Sequence, residues 1–391
     1  MPTPLPNETI HRHKPRQKIK LGSFPSTSPL SRKPSTPKPP PKATSNPFFL
    51  QLPPPPQLNS PQFQSPPPKK MPPRIRLAFS PLPLRRLYST AEPLIRITNL
   101  PATSPAEASN GHIRILELNR PKARNAISKD LLASLRAEIH DVQSQYGPDG
   151  EEVAPKQQFG GAAGLDEKGP TRALIIASAV DACFCAGADL KERRGFTQEE
   201  TAKFLSDLRG AFTDLSNLQI PTISAISSLA LGGGLELALS THFRVLSSNA
   251  SVGLPETRLG IIPGAGGTFR LPAIVGLSRA RDLILTGRRV AAPEAYFLGI
   301  ADRLVEVLPE DERDGADILQ TARKSALSEA VRLAQEICEG GPIAIRAGLQ
   351  AVAWAREEKE NEMYKRVVNT EDRDEALRAF QDKRKPVFKG R

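Results

Sequence analysis

Residues 229–239 read Leu-Ala-Leu-Gly-Gly-Gly-Leu-Glu-Leu-Ala-Leu. The glycine run at Gly232-Gly233-Gly234 marks the start of a short helix ending near Ser240, with Phe243 to Leu246 returning as a strand. A helix start carries unpaired N–H groups and the positive end of the helix dipole, and both favour a negative oxygen. Glu236 follows at once in apolar company. A carboxylate among apolar and glycine neighbours is costly to bury unless it is paired or does chemistry.

Working outward, a second acid of the same kind lies twenty positions on. Glu256 sits in Val252–Thr268, Val-Gly-Leu-Pro-Glu-Thr-Arg-Leu-Gly-Ile-Ile-Pro-Gly-Ala-Gly-Gly-Thr. Upstream, Cys185–Glu192 reads Cys-Ala-Gly-Ala-Asp-Leu-Lys-Glu directly after a buried strand and a short loop. Gly187 lets a ligand approach the chain, with the N–H of Ala188 pointing outward. Two backbone donors aimed at one thioester oxygen form an oxyanion hole, and losing one typically costs about 2.7–4 kcal/mol of transition-state stabilisation. Two carboxyls in an apolar pocket separate in proton affinity, so one can activate water while the other delivers a proton beside a carbonyl.

Each element also has a plainer reading. Glu236 alone could be a buried acid paired with an arginine, and Glu256 an exposed loop residue. Gly264-Ala-Gly-Gly resembles part of a dinucleotide fingerprint, but no clear strand precedes it and no acid completes a nucleotide site. Those glycines read as tight turns and a helix start. His112, His140 and His242 have no nucleophile motif nearby and read as structural. Cys183-x-Cys185 lacks further ligands at metal spacing and reads as small apolar residues on a strand end; no metal site is expected. Three cysteines form no disulfide framework and suit a reducing compartment.

The surrounding pattern is layered α/β. Ile113–Leu118 alternates like a half-buried strand. Ser128 caps a helix over about Lys129–Gln145, residues 147–170 read as a flexible insertion, and Arg172–Ser178 as a buried strand. A helix over Thr197–Asn217 and a strand at Thr222–Ile226 follow. From about Arg279 the pattern is mostly helical, with two long periodic segments at Gly315–Glu339 and Pro342–Asn369. The folded part divides as a core over 92–310 and a helical region over 311–391. No apolar run approaches membrane-spanning length.

Residues 1–91 differ in kind. They hold fifteen Lys or Arg against the single acid Glu8, and 24 of the 39 prolines, leaving 39 basic and 41 acidic residues beyond. The chain's net charge of +12 therefore belongs to the leader and says nothing of a nucleic-acid surface on the folded part. Proline removes donors and favours extended conformers, so the leader is not expected to fold alone. Residues 71–88, with Arg74, Arg76, Arg85 and Arg86 and no acid, have the composition of a mitochondrial transit peptide. Met71 reads as a start or an alternative start, with a mature chain beginning near Ser89. A disordered proline-rich ligand is the competing reading.

Asn119-Arg-Pro-Lys-Ala-Arg-Asn-Ala, Cys185–Glu192, Ala230–Ala238 and Gly260–Thr268, in this order and spacing, resemble the enoyl-CoA hydratase/isomerase (crotonase) family over about residues 94–391. The resemblance implies a crotonase-like spiral of ββα units with a C-terminal helical region, assembled as a trimer or a dimer of trimers. It implies that the N–H groups of Ala188 and Gly233 hold the thioester oxygen, with Asp189, Leu190 and Lys191 lining the same substrate site. Glu256 would deliver the proton to the α-carbon while Glu236 holds and deprotonates water. Two acids favour hydration over double-bond migration; an enoyl-CoA isomerase and an RNA-binding protein that keeps the fold but little catalysis are the alternatives.

Coenzyme A would arrive as part of the substrate, with no separate cofactor. Asp189-Leu-Lys-Glu-Arg and the tail Thr370–Pro386 are similar to the branch acting on 3-methylglutaconyl-CoA in leucine catabolism, in the mitochondrial matrix. That branch is also described as binding RNA through lysines on an early helix. The matching helix here keeps Lys129 but carries Glu138 and Asp141, so a solvated face is the favoured reading. Ser227-Ser228, Thr241-His242 and Phe269 depart from the family pattern, as does the length of the insertion.

Overall fold

The structure, a computed structural model, describes residues 92–102, 111–153, 169–308 and 317–391. The leader with its transit-peptide reading, and most of the expected insertion, lie outside the described residues.

The strand Thr171–Ser178 (β3) organises the molecule, because every one of its residues is buried. Successive strand residues face opposite ways. Leu174 and Ile176 enter one apolar core, while Ala173, Ile175 and Ala177 enter a second. Around β3 run Ile95–Pro101 (β1), His112–Leu118 (β2), Thr222–Ile226 (β5), Phe243–Ser247 (β7) and Arg303–Val305 (β10). They form one six-stranded sheet in the order β1-β2-β3-β5-β7-β10, antiparallel only between β1 and β2.

A second sheet runs beside the first in sequence. Cys183–Cys185 (β4), Leu229–Leu231 (β6), Ser251–Gly253 (β8) and Arg289–Ala291 (β9) pair in that order. The pairs β3/β4, β5/β6 and β7/β8 each give one strand to each sheet before a helical segment follows. That is the expected spiral of ββα units.

Lys129–Gln143 (α1) starts where Ser128 accepts a bond from Leu131 N, and buries Leu131, Leu135 and Ile139 at helical spacing. Short Leu190–Arg193 (α2) precedes Gln198–Ser216 (α3). The latter opens with a full capping box between Thr197 and Glu200. These helices cover the first core. The second core is closed by Ile318–Cys338 (α8), whose Ala330, Leu333 and Ala334 lie on the other side of the large sheet.

Between them come Gly233–Leu239 (α4), Gly267–Val275 (α5), Leu277–Thr286 (α6) and Ala292–Phe297 (α7). The mostly helical reading after Arg279 therefore missed β9 and β10, each three residues long. The segment Pro342–Asn369 is also not one helix. Pro342–Trp354 (α9) stops at Ala355, which takes a left-handed φ of 46°, and Arg356 is extended. Glu357–Val368 (α10) then begins with Glu357, Glu358 and Glu360, acids that suit a fresh helix N-terminus better than a helix middle. Glu371–Asp382 (α11), capped by Thr370, completes the C-terminal helical region.

Two departures from the family pattern are absorbed locally. Thr241 Oγ1 donates within the turn after α4, and the His242 ring pairs with Thr222. Burial lowers the His242 pKa to about 4, so it is neutral and structural. Among the described residues no helix is long and apolar enough to cross a membrane.

Candidate active site

The loop after β4 is held by a network around Asn125, fully buried at φ 54°. Its Nδ2 donates to Ser178 Oγ at 2.8 Å and to Phe184 O at 2.9 Å, pinning the strand end. Beyond it, Ile127 N donates to Gly187 O (2.8 Å) and Asp189 N to Ile127 O (3.1 Å). In such a parallel bridge the intervening N–H faces away from the partner strand. That N–H belongs to Ala188, and it has no acceptor among the described residues.

Gly187 makes the next contact possible. It has a φ of 92°, and a methyl there would lie 2.7 Å from Leu231 O and 3.1 Å from Gly233 N. A methyl on Gly233 would in turn sit 3.5 Å from Ala188 N. Only bare backbone lets the two chains come this close. Gly233 opens α4, so its N–H has no acceptor within the helix. The two amides thus lie side by side at the glycine turn.

Glu236, one turn into α4, is 2 % exposed. No arginine among the described residues pairs with it. Instead its Oε1 accepts from Ala265 N at 2.7 Å and from Gly267 N at 2.8 Å. Burial raises its pKa above the usual carboxylate value, and these two amides pull it part of the way back. Glu256 opens the 3-10 turn Glu256–Leu259 and is 8 % exposed, so it is not a surface loop residue. Its Oε2 is buried without a hydrogen-bond partner among the described residues. Burial pushes this carboxyl to about 7, with the neighbouring Glu236 charge adding to the rise. A methyl on Gly232 would lie 2.9 Å from Glu256 Oε1. Glu256 and both amides therefore gather at the Gly232–Gly233 turn, while Glu236, one turn further along α4, rests on the 265–267 loop.

The remaining expected residues follow Ala188 in sequence. Asp189 caps α2, accepting from Lys191 N and Glu192 N, and its Oδ2 meets Arg120 at 3.2 Å. Its carboxylate is thus engaged with the protein. Leu190 is 54 % exposed, and Lys191 is exposed. Cavities of about 460 Å³, against Tyr146, Arg346 and Phe388, and about 290 Å³, against Trp354 and Met363, lie elsewhere; neither is lined by Glu236 or Glu256.

Sequence reading missed what holds Glu236. The Gly264-Ala-Gly-Gly run does form a turn and a helix start, with Gly266 at φ 117° before α5. Its amides also form the cradle for the carboxylate. The carbonyls of the same loop are held by arginines, Gly264 O by Arg209 Nε and Ala265 O by Arg270. The only local signal was the glycine content, since the acid lies about thirty residues away in sequence.

This arrangement can grip a carbonyl oxygen by two N–H groups while one acid accepts a proton and another donates one. Over 78 % of this chain and 90 % of the relative, the sequence is 67 % identical to "Methylglutaconyl-CoA hydratase 1, mitochondrial" of Pyricularia oryzae. It is 54 % identical to an enoyl-CoA isomerase/hydratase of Zymoseptoria tritici, over 76 % of this chain and 88 % of that one. The crystal structure of an enoyl-CoA hydratase from Bacillus anthracis superposes with a TM-score of 0.62 at 32 % identity, covering 76 % of this chain and all of that one. The sequence model for enoyl-CoA hydratase/isomerase matches residues 163–391, and with it the chain belongs to the enoyl-CoA hydratase/isomerase family.

Proposed function

We propose that this chain is an enoyl-CoA hydratase whose substrate is 3-methylglutaconyl-CoA or a related short enoyl-CoA. The observation that carries this reading is the unequal pair of buried acids beside two unpaired amides. The N–H groups of Ala188 and Gly233 receive the thioester oxygen and stabilise the negative charge that develops on it. Glu236, already a twofold acceptor at Oε1, takes a proton from water as its hydroxyl adds to the β-carbon. Glu256, neutral below a pKa of about 7, gives its proton to the α-carbon. Atoms balance as one water added across one double bond, with the two acids exchanging protonation states. Asp189, Leu190 and Lys191 line the entrance by position, Asp189 through the backbone it caps. Coenzyme A enters with the substrate, and no further cofactor is required by this chemistry.

Substrate and place rest on likeness. The relative from Pyricularia oryzae is named for methylglutaconyl-CoA and for the mitochondrion, and the basic, proline-rich leader supports import to the matrix. A homotrimer or a dimer of trimers is supported by apolar side chains exposed on the single chain, among them Leu285 at 70 %, Phe297 at 78 % and Phe380 at 84 %. RNA binding gains no support from α1. Lys129 pairs with Glu200, Arg136 with Asp207, and Arg114 of neighbouring β2 with Glu138 and Asp141.

The test is loss of enoyl absorbance when the purified full chain meets crotonyl-CoA and 3-methylglutaconyl-CoA. Hydration of either supports the proposal; hydration of neither ends it. Double-bond migration is a second reading favoured by the name of the Zymoseptoria tritici relative. Turnover of a 3-enoyl-CoA faster than hydration of its 2-enoyl isomer would establish it.

A further inference from the structure

Arg209, a cation beside Glu236, has no ion-pair partner among the described residues. Arg209, on α3, donates Nε to Gly264 O at 2.6 Å, and Ala265 N donates to Glu236 Oε1 at 2.7 Å. That carbonyl and that N–H belong to the same peptide unit, which is planar. Guanidinium and carboxylate therefore sit at opposite ends of one rigid plate, no more than about 8 Å apart by bond lengths. The Arg209 charge lowers the Glu236 pKa across it. Leu205, one turn earlier on α3, borders the same loop, since a methyl on Gly264 would meet its Cδ2 at 3.4 Å.

The second cation acting on Glu236 is fully engaged. Arg270 donates to Ala265 O, Phe212 O and Ser216 Oγ. Arg209 uses only Nε. Among the described residues no carboxylate pairs with its guanidinium, and the side chain is exposed.

We propose that Arg209 is a specificity-determining residue that receives a carboxylate at the far end of the acyl group, so that enoyl thioesters ending in an acid are preferred. The inference rests on the hydratase reading above. In a five-carbon acyl chain of this class the terminal carboxylate lies two bonds beyond the carbon that takes the hydroxyl, and so must lie close to Glu236. Two carboxyls already share that space, and a third without a counter-charge is repelled. The unused Nη edge of a guanidinium matches a carboxylate with two parallel hydrogen bonds.

The test compares the full chain with Arg209→Gln and Arg209→Lys on 3-methylglutaconyl-CoA and 3-methylcrotonyl-CoA, which differ only in that carboxylate. The readout is the ratio of kcat/KM for the acidic substrate to that for the neutral one. A charge-assisted hydrogen bond predicts that Arg209→Gln lowers the ratio by about 10- to 100-fold. Arg209→Lys keeps the charge and should retain part of the preference. Equal losses on both substrates would mean that Arg209 only braces the loop, and would overturn the inference while leaving the hydratase intact. An unchanged ratio overturns it too, as does a parent enzyme with no preference for the acidic thioester. A parent enzyme that hydrates neither substrate removes the hydratase reading and this inference together. Thermal melting of each variant shows whether it is folded.

Discussion

Glu236 and Glu256 are both buried and both shifted upward, yet their surroundings differ in one respect. Glu236 rests on two amides of the 265–267 loop, donors that favour its charged form. Glu256 has a buried oxygen with no partner among the described residues, a setting that favours the neutral form. The contrast teaches that burial makes a carboxyl hard to ionise, and that the amides of Ala265 and Gly267 draw Glu236 back toward its charged form while Glu256 Oε2 lacks such support. The proposed roles of base for Glu236 and acid for Glu256 rest on that inequality.

The largest effects should come from removing either acid. Glu236→Gln and Glu256→Gln should each lower kcat for hydration by about 10²–10⁴, the usual worth of one positioned proton-transfer group. The variants should remain folded by circular dichroism. Activity unaffected by either change would break the assigned division of labour.

A second, smaller pair of changes presses on each acid separately. Gly267→Ala would place a methyl 3.1 Å from Glu236 Oε1 and 3.0 Å from Leu254 Cδ1. Gly232→Ala would place one 2.9 Å from Glu256 Oε1, at a φ of 53° that costs about 1 kcal/mol or more for any side chain. Each should lower kcat by roughly tenfold, because small misplacements of reacting groups are costly. They should differ in pH profile, Gly267→Ala moving the acidic limb and Gly232→Ala the alkaline one.

Finally, the parent enzyme itself should show the difference. On the proposed division of labour hydration requires Glu256 protonated, so kcat/KM should fall as pH rises through about 7. Stability follows the same group with a worked sign. Its folded pKa lies above the unfolded value, so its contribution is fully present below about 4.5 and is lost as pH rises through about 7. Glu256→Gln removes that loss. Its melting temperature relative to the parent should rise between pH 4.5 and 7 and level off above.

Much of this was legible in the chain because the signals were local. Arg172–Ser178 reads as buried from seven residues, Ser128 and Thr197 announce helix starts by capping chemistry, and the glycine turns announce bare amides. What stayed hidden depends on partners far away. β6, β8, β9 and β10 are three residues each, too short for a period to show, and owe their pairing to neighbours in the folded sheet; β4, equally short, showed only as the strand end at Cys183 and Cys185. The break at Ala355 has no proline or glycine to mark it. The engagement of Glu236 by Ala265 and Gly267, and of Gly264 by Arg209, joins segments that no spacing rule connects.

The thiols of Cys183 and Cys185 lie on the strand that leads into Ala188, and burial pushes them up to about 11 and about 12; Cys338 is also pushed up to about 12. All three are therefore protonated at physiological pH, and protonated sulfur reacts slowly with peroxide or maleimide. The enzyme should keep its activity in an oxidising burst that silences proteins with exposed thiolates. A fourth cysteine introduced on the surface would accept a fluorescent label ahead of the native three.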